Sequence, residues 1–165
     1  DDPFLQDLLR PCVQREILDL LDAGAFAAVG AGPVCGSFSV AVRPAVRPPD
    51  FPRGRPGLSP SMQKRVTEGN ALAAFVARVF LRTLDMRVAM YVENPVGSWL
   101  WKQRAFRRLR RHPAVRLVKT DYCRWGAPWK KRTLFLVGHL ALEDLAILCR
   151  GCSSHVRLRC GLGPR

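Results

Sequence analysis

Leu72, Phe75, Val76, Val79 and Phe80 recur at i, i+3, i+4, i+7 and i+8, which predicts a helix over 66–84 with one apolar face. Short apolar runs flank it, at 25–29 and 88–92. The second run is too short and too apolar for a half-solvated strand, so it belongs in the centre of a sheet. A helix that must bury one face, set between two buried strands, confines the chain to few architectures. Around this unit, 3–22 reads as helical with a break at Pro11, where Val13, Ile17, Leu20 and Leu21 keep helical spacing and Gly24 is the stop. Ser98 is positioned to cap a helix running to about Arg111. Two further strands are expected at 115–120 and 133–137, then a last helix at 141–148. The alternation argues for an α/β sandwich with a largely parallel sheet. Chemistry in such sheets sits beyond the carboxyl ends of the strands.

The 165 residues suit one core-forming unit over 1–140, with a Cys/His-rich tail at 141–165. Prolines and arginines crowd 41–65, which excludes long regular structure there. That stretch reads either as a mobile linker or as a basic loop closing over a polyanion. Charge is the strongest bulk signal, with 27 Lys and Arg against 13 Asp and Glu and a net charge of +14. Such an excess favours nucleic acid, DNA foremost, as partner. The candidate contact surface is the helix bearing Lys102, Arg104, Arg107, Arg108, Arg110 and Arg111, which also fits a solvated face. No stretch of uncharged apolar residues reaches membrane-spanning length, so no membrane association is expected. The start at Asp1-Asp2-Pro3 shows no secretory n-region and suggests a piece of a longer chain. Six cysteines, four of them scattered, without such a signal suit a reduced intracellular protein of nucleus or cytoplasm.

The sharpest chemistry lies in two short segments. Cys35 follows the first apolar run within Gly32-Pro33-Val34-Cys35-Gly36-Ser37-Phe38-Ser39, and the second run ends in Glu93-Asn94-Pro95. A thiol and a carboxyl at neighbouring strand ends suit attack on a pyrimidine. The thiolate adds at ring position 6, and the acid stabilises charge at ring nitrogen 3. Each residue also has a plainer reading, Cys35 as a small buried hydrophobe and Glu93 as a cap or ion pair. His112, His139 and His155 fall in no hydrolase spacing.

With Tyr122-Cys123-Arg124-Trp125-Gly126-Ala127-Pro128-Trp129-Lys130-Lys131-Arg132, these segments form three motifs in an order that resembles the DNA cytosine-5 methyltransferases. The wording is most similar to divergent members in phages and protist mobile elements. The resemblance spans about 25–138. It implies the second half of a Rossmann-like methyltransferase sandwich, mostly parallel with an antiparallel last strand. It implies Cys35 as nucleophile and Glu93 as the acid on the cytosine edge. Asn94, Ser37 and Ser39 would bind the substrate, Asn94 as a loop-shaping partner, with Lys130, Lys131 and Arg132 toward phosphate or the active-site loop. S-adenosylmethionine would be the methyl donor. Val34, Gly36, Pro95 and Trp129 depart from the family's usual residues, and the glycine-rich cofactor turn has no counterpart before Cys35. The expectation is therefore a catalytic half that awaits an N-terminal half of the same parent protein. The alternative is a non-catalytic, basic nucleic-acid-binding module with a small zinc site.

The tail supplies that second reading. Cys149, Cys152, His155 and Cys160 form C-x2-C-x2-H-x4-C, four soft donors suited to tetrahedral zinc. Cys123 is the alternative fourth ligand. Unbound thiols in a flexible end are the plainer account.

Overall fold

The computed structural model describes residues 7–33, 36–152 and 155–156. Helix α1 (Pro11–Asp22) opens on its proline, where the missing N–H costs nothing, and buries Val13 and Leu21. The chain leaves it through Gly24 at φ 73, the left-handed stop the sequence predicts. Strand β1 (Ala28–Ala31) leads into the Pro/Arg-rich loop, which ends where Pro60 starts the long helix α2 (Pro60–Met86). Helix α2 exceeds its expected span at both ends. Pro60 is tolerated at the first helical position, and Arg87 at φ 56 closes the C-terminus.

The remaining strands are β2 (Ala89–Pro95), β3 (Val115–Asp121) and β4 (Arg132–Gly138), and the sheet order is β1-β2-β4-β3. Only β1 and β2 pair in parallel, while β4 is antiparallel to both β2 and β3. The last strand is antiparallel, as expected. The largely parallel sheet is corrected to a mixed one, because β4 inserts between two strands that run the same way. The core joins α1, α2 and the sheet through Leu21, Val76, Phe80, Met90, Val92 and Leu136.

Two expected helices are revised. The segment after Ser98 forms a 3-10 turn (Trp99–Lys102) and then the short helix α3 (Arg104–Leu109). Ser98 does cap the turn, its Oγ accepting from the Leu100 N–H at 3.2 Å. Gln103 breaks the run with an extended backbone, and its side chain donates to the Pro52 carbonyl at 2.6 Å. The expected helix at 141–148 is only a 3-10 turn, Glu143–Leu145. Here the chain bonds to the end of β3 instead, with the Asp121 N–H on the Ile147 carbonyl at 3.0 Å.

Arg47 organises the Pro/Arg-rich loop. It is 1% exposed, although no carboxylate is among its hydrogen-bond partners. Its guanidinium donates to the carbonyls of Ser37 (2.9 Å), Pro52 (2.8 Å) and Val66 (3.1 Å), to Asn70 Oδ1 (2.8 Å) and to Ser37 Oγ (3.1 Å). It also lies 4.1 Å from the Phe38 ring centroid. Burial, helped by the charge of Arg53, pulls its pKa down to about 10, so it stays cationic at neutral pH. Gly69 admits this contact, because a Cβ there would stand 2.8 Å from Ser37 Oγ. Among the described residues no helix is long and apolar enough to cross a membrane.

Candidate functional site

Strand alternation sends Glu93 and Asn94 to opposite faces of β2. Asn94 turns inward and is 1% exposed. Its Nδ2 donates to the Pro33 carbonyl at 2.9 Å, which ties the loop after β1 to the end of β2. Its Oδ1 is buried without a partner among the described residues. Glu93 turns to the other face, where Oε1 accepts from Lys131 Nζ at 3.1 Å and from the Tyr122 hydroxyl at 3.3 Å. The Lys131 ammonium in turn lies 4.7 Å from the Tyr122 ring centroid. Three segments far apart in sequence thus meet at one corner of the sheet.

The structure treats the other sequence-predicted residues differently. Val34 and Cys35 lie outside the described residues. Ser37 is buried, with both its carbonyl and its hydroxyl engaged by Arg47. Ser39 Oγ accepts from the Ala41 N–H at 3.1 Å in a local turn. Lys130 is exposed, whereas Lys131 is held on Glu93 and Arg132 on Asp121. Tyr122 belongs to a motif that the sequence picks out, but only the fold gives its hydroxyl a role.

The second cluster is built around Asp121, the last residue of β3, which is 0% exposed. Arg132, its ladder partner on β4, grips it through Nε (3.1 Å) and Nη2 (2.8 Å). The Cys149 N–H donates to the same carboxylate at 2.8 Å. Arg132 foremost, and then the Cys149 N–H, hold this carboxyl below the usual range against the opposing effect of burial. The tail is thereby laid against the end of β3. Cys123 sits in the 3-10 turn Tyr122–Trp125 that follows the strand. The ligand atoms of Cys123, Cys149, Cys152 and His155 all lie within 4.8 Å of one another. Cys149 Sγ is 3.3 Å from Cys152 Sγ and 3.7 Å from the His155 Nε2. The Gly151 N–H donates to Cys149 Sγ at 3.4 Å. That donor, with the Cys152 thiol next, lowers the Cys149 pKa, while burial raises that of Cys123. This cluster can hold a metal ion. Cys160 lies outside the described residues.

One cavity adjoins the Glu93 corner, and a second lies between α2, α3 and the Pro/Arg-rich loop. An apolar one of about 270 Å³ is lined by Thr120, Tyr122, Trp125, Ala127, Phe135 and Leu145, so it shares Tyr122 with the Glu93 corner. An open one of about 300 Å³ is lined by Arg53, Arg104 and Arg108 together with Asn70 and Gln103. None of the ion pairs among the described residues involves these three arginines. Sequence composition flags the Arg104–Arg108 segment but gives no sign that Arg53 joins it.

S-adenosylmethionine does not fit the residues present. Among the described residues a single helix precedes β1, which leaves the sheet through Gly32-Pro33. The carboxylate at the end of β3, Asp121, has both oxygens taken by Arg132 and the Cys149 N–H. Compared with known proteins, the chain matches no family model, no curated protein and no solved structure.

Proposed function

We propose that this chain is the base-handling half of a DNA (cytosine-5)-methyltransferase-like domain, and that zinc is the ion its Cys/His cluster holds. One observation carries the first part of this reading. The segments 32–39, 93–94 and 122–132, far apart in sequence, meet at the end of β2: Asn94 holds the Pro33 carbonyl on one face, Lys131 and Tyr122 hold Glu93 on the other, and a Cβ built on Gly32 would stand 3.9 Å from Glu93 Oε2.

The chemistry assigned to these residues is limited to the base. A cytosine taken out of the duplex stack presents position 6 to the Cys35 thiolate. A sulfur–carbon bond forms there, and the displaced electron pair spreads through position 5 toward ring nitrogen 3. Glu93, carrying a proton on Oε2 while Oε1 accepts from Lys131 and Tyr122, donates to that nitrogen and stabilises the charge. Lys131 and Tyr122 fix the carboxyl's direction, so little reorganisation is needed when charge develops. The methyl donor is held by residues other than those of this chain, and no step here depends on it.

The test uses DNA carrying 2-pyrimidinone in place of the target cytosine, a ring that accepts a thiolate at position 6 without methyl transfer. The expected result is a denaturant-resistant adduct seen by mass spectrometry and lost in Cys35→Ser. DNA binding without an adduct would overturn this reading.

That outcome would favour a second one, a non-catalytic nucleic-acid-binding module. Its support is the cavity in which Arg53, Arg104 and Arg108 stand together without a carboxylate partner among the described ion pairs. Three arginines lining one cavity from a loop and a helix suit phosphates of a nucleic-acid backbone.

A further inference from the structure

The spacing of the tail leaves its fourth metal ligand open between Cys160 and Cys123, two choices with different consequences. Cys160 would make the site a self-contained knuckle hanging from the sheet. Cys123 would make it a bond between the tail and the sheet itself.

We infer that Cys123, Cys149, Cys152 and His155 hold one tetrahedral zinc ion that staples the tail to the end of β3, and that Cys160 is not a ligand. The inference rests on the zinc part of the reading above and is independent of the methyl-transfer part.

Geometry comes first. Four donor atoms that all lie within 4.8 Å of one another can close on a single ion. Zinc–sulfur bonds of about 2.3 Å put neighbouring sulfurs roughly 3.8 Å apart, so small side-chain shifts suffice. The Gly151 N–H on Cys149 Sγ is the kind of donor that offsets thiolate charge in such a turn. Donor chemistry then selects the ion. Three thiols and an imidazole, with no oxygen donor among them, exclude magnesium and calcium and suit zinc.

The surroundings are those of a structural site. Asp121 is close, but both of its oxygens are occupied, by Arg132 and by the Cys149 N–H. It therefore acts as the group that orients a ligand's backbone. Four protein donors close the coordination sphere and leave no position for a reacting water. The staple also bears on Glu93. Tyr122 is Cys123's neighbour, and its N–H donates to the Lys131 carbonyl at 3.1 Å. Fixing Cys123 thus fixes the turn that supplies Tyr122 and is bonded to the backbone of Lys131, the two partners of Glu93.

The experiment uses the full chain, purified under reducing conditions and loaded with zinc or cobalt. One metal per chain is expected, with the visible bands of tetrahedral cobalt. Cys123→Ser should lose roughly one third of the thiolate-to-cobalt charge-transfer intensity, one of three thiolates. Cys160→Ser should leave the spectrum unchanged. If Cys123→Ser does not fold, Cys123→His keeps four donors and should show the same loss of one thiolate. Chelation should speed hydrogen exchange at the Asp121 and Cys149 amides and leave the β1–β2 ladder protected. Loss of intensity in Cys160→Ser, with none in Cys123→Ser, would overturn the ligand set while zinc remained. Unchanged exchange after chelation would overturn the staple. A wild-type chain that retains no metal would overturn the zinc reading itself.

Discussion

The Cys149 N–H donates to Oδ2 of Asp121 at 2.8 Å, so the last residue of an edge strand holds the first donor of the tail. Arg132 completes the arrangement from the neighbouring strand β4. One buried carboxylate therefore joins the strand end, its ladder partner and the thiol cluster.

Replacing that carboxylate should separate stability from metal affinity. Asp121→Asn keeps one acceptor but loses the charge that Arg132 grips in two places. A charge-assisted hydrogen bond contributes about 1–3 kcal/mol, and urea unfolding should show a loss of that order. Zinc affinity, measured by competition with a chelator, should fall by roughly 10–100-fold, as when a group orienting a ligand is removed. Wild-type zinc affinity in the variant would show that Asp121 does not act on the cluster.

Arg47 should prove the least replaceable residue of the Pro/Arg-rich loop. Arg47→Met leaves the carbonyls of Ser37, Pro52 and Val66 without this donor. The expected cost is about 3 kcal/mol by thermal or urea unfolding. Arg47→Lys should recover little of it, because three ammonium donors on a flexible stem do not reproduce the planar fork. Limited proteolysis should cut the loop faster in both variants.

The arginine-lined cavity makes a prediction in salt. Substituting Arg53, Arg104 and Arg108 together by Gln should weaken DNA binding and flatten its dependence on ionic strength. The slope of log K against log salt should fall by roughly 2–3, about 0.9 for each phosphate that is no longer neutralised. Lys64→Gln, which removes an exposed cation paired with Glu68, is the control and should leave the slope unchanged. A Lys64→Gln effect equal to one third of the triple variant's would mean that only net charge matters.

Glu93→Gln should distinguish a reacting carboxyl from one half of an ion pair. Loss of the partly exposed bond to Lys131 should cost under about 1 kcal/mol of stability. Adduct formation with 2-pyrimidinone DNA should slow by about 100-fold or more, the scale of losing a preorganised charge-stabilising group. A stability loss with an unchanged adduct rate would make Glu93 purely structural.

Much of this fold is legible in the residues. The spacing of Phe75, Val76, Val79 and Phe80 predicts α2, and all four are buried on it. The apolar run ending in Glu93-Asn94 predicts β2, and strand alternation then sends those two side chains to opposite faces. Ser98, Gly24 and Pro60 act through local geometry that each residue type carries with it.

Other features depend on partners that periodicity does not name. Nothing local to residues 132–138 says that β4 lies between β2 and β3. The tail at 141–148 has helical composition, yet the end of β3 captures its backbone through the Ile147 carbonyl and the Cys149 N–H. Arg47 is one arginine among several in a proline-rich stretch until Ser37, Pro52, Val66 and Asn70 surround it.

By itself the sequence determined α1, α2 and the four strands, the Glu93-Asn94 and Cys-x2-Cys-x2-His motifs, and a basic composition, because these follow from neighbours in the chain. Only the tertiary structure decided that Cys123 joins the tail's donors and that Lys131 and Tyr122 close on Glu93. Those contacts arise from strand order, which is set by burial of the whole sheet and is written in no single segment.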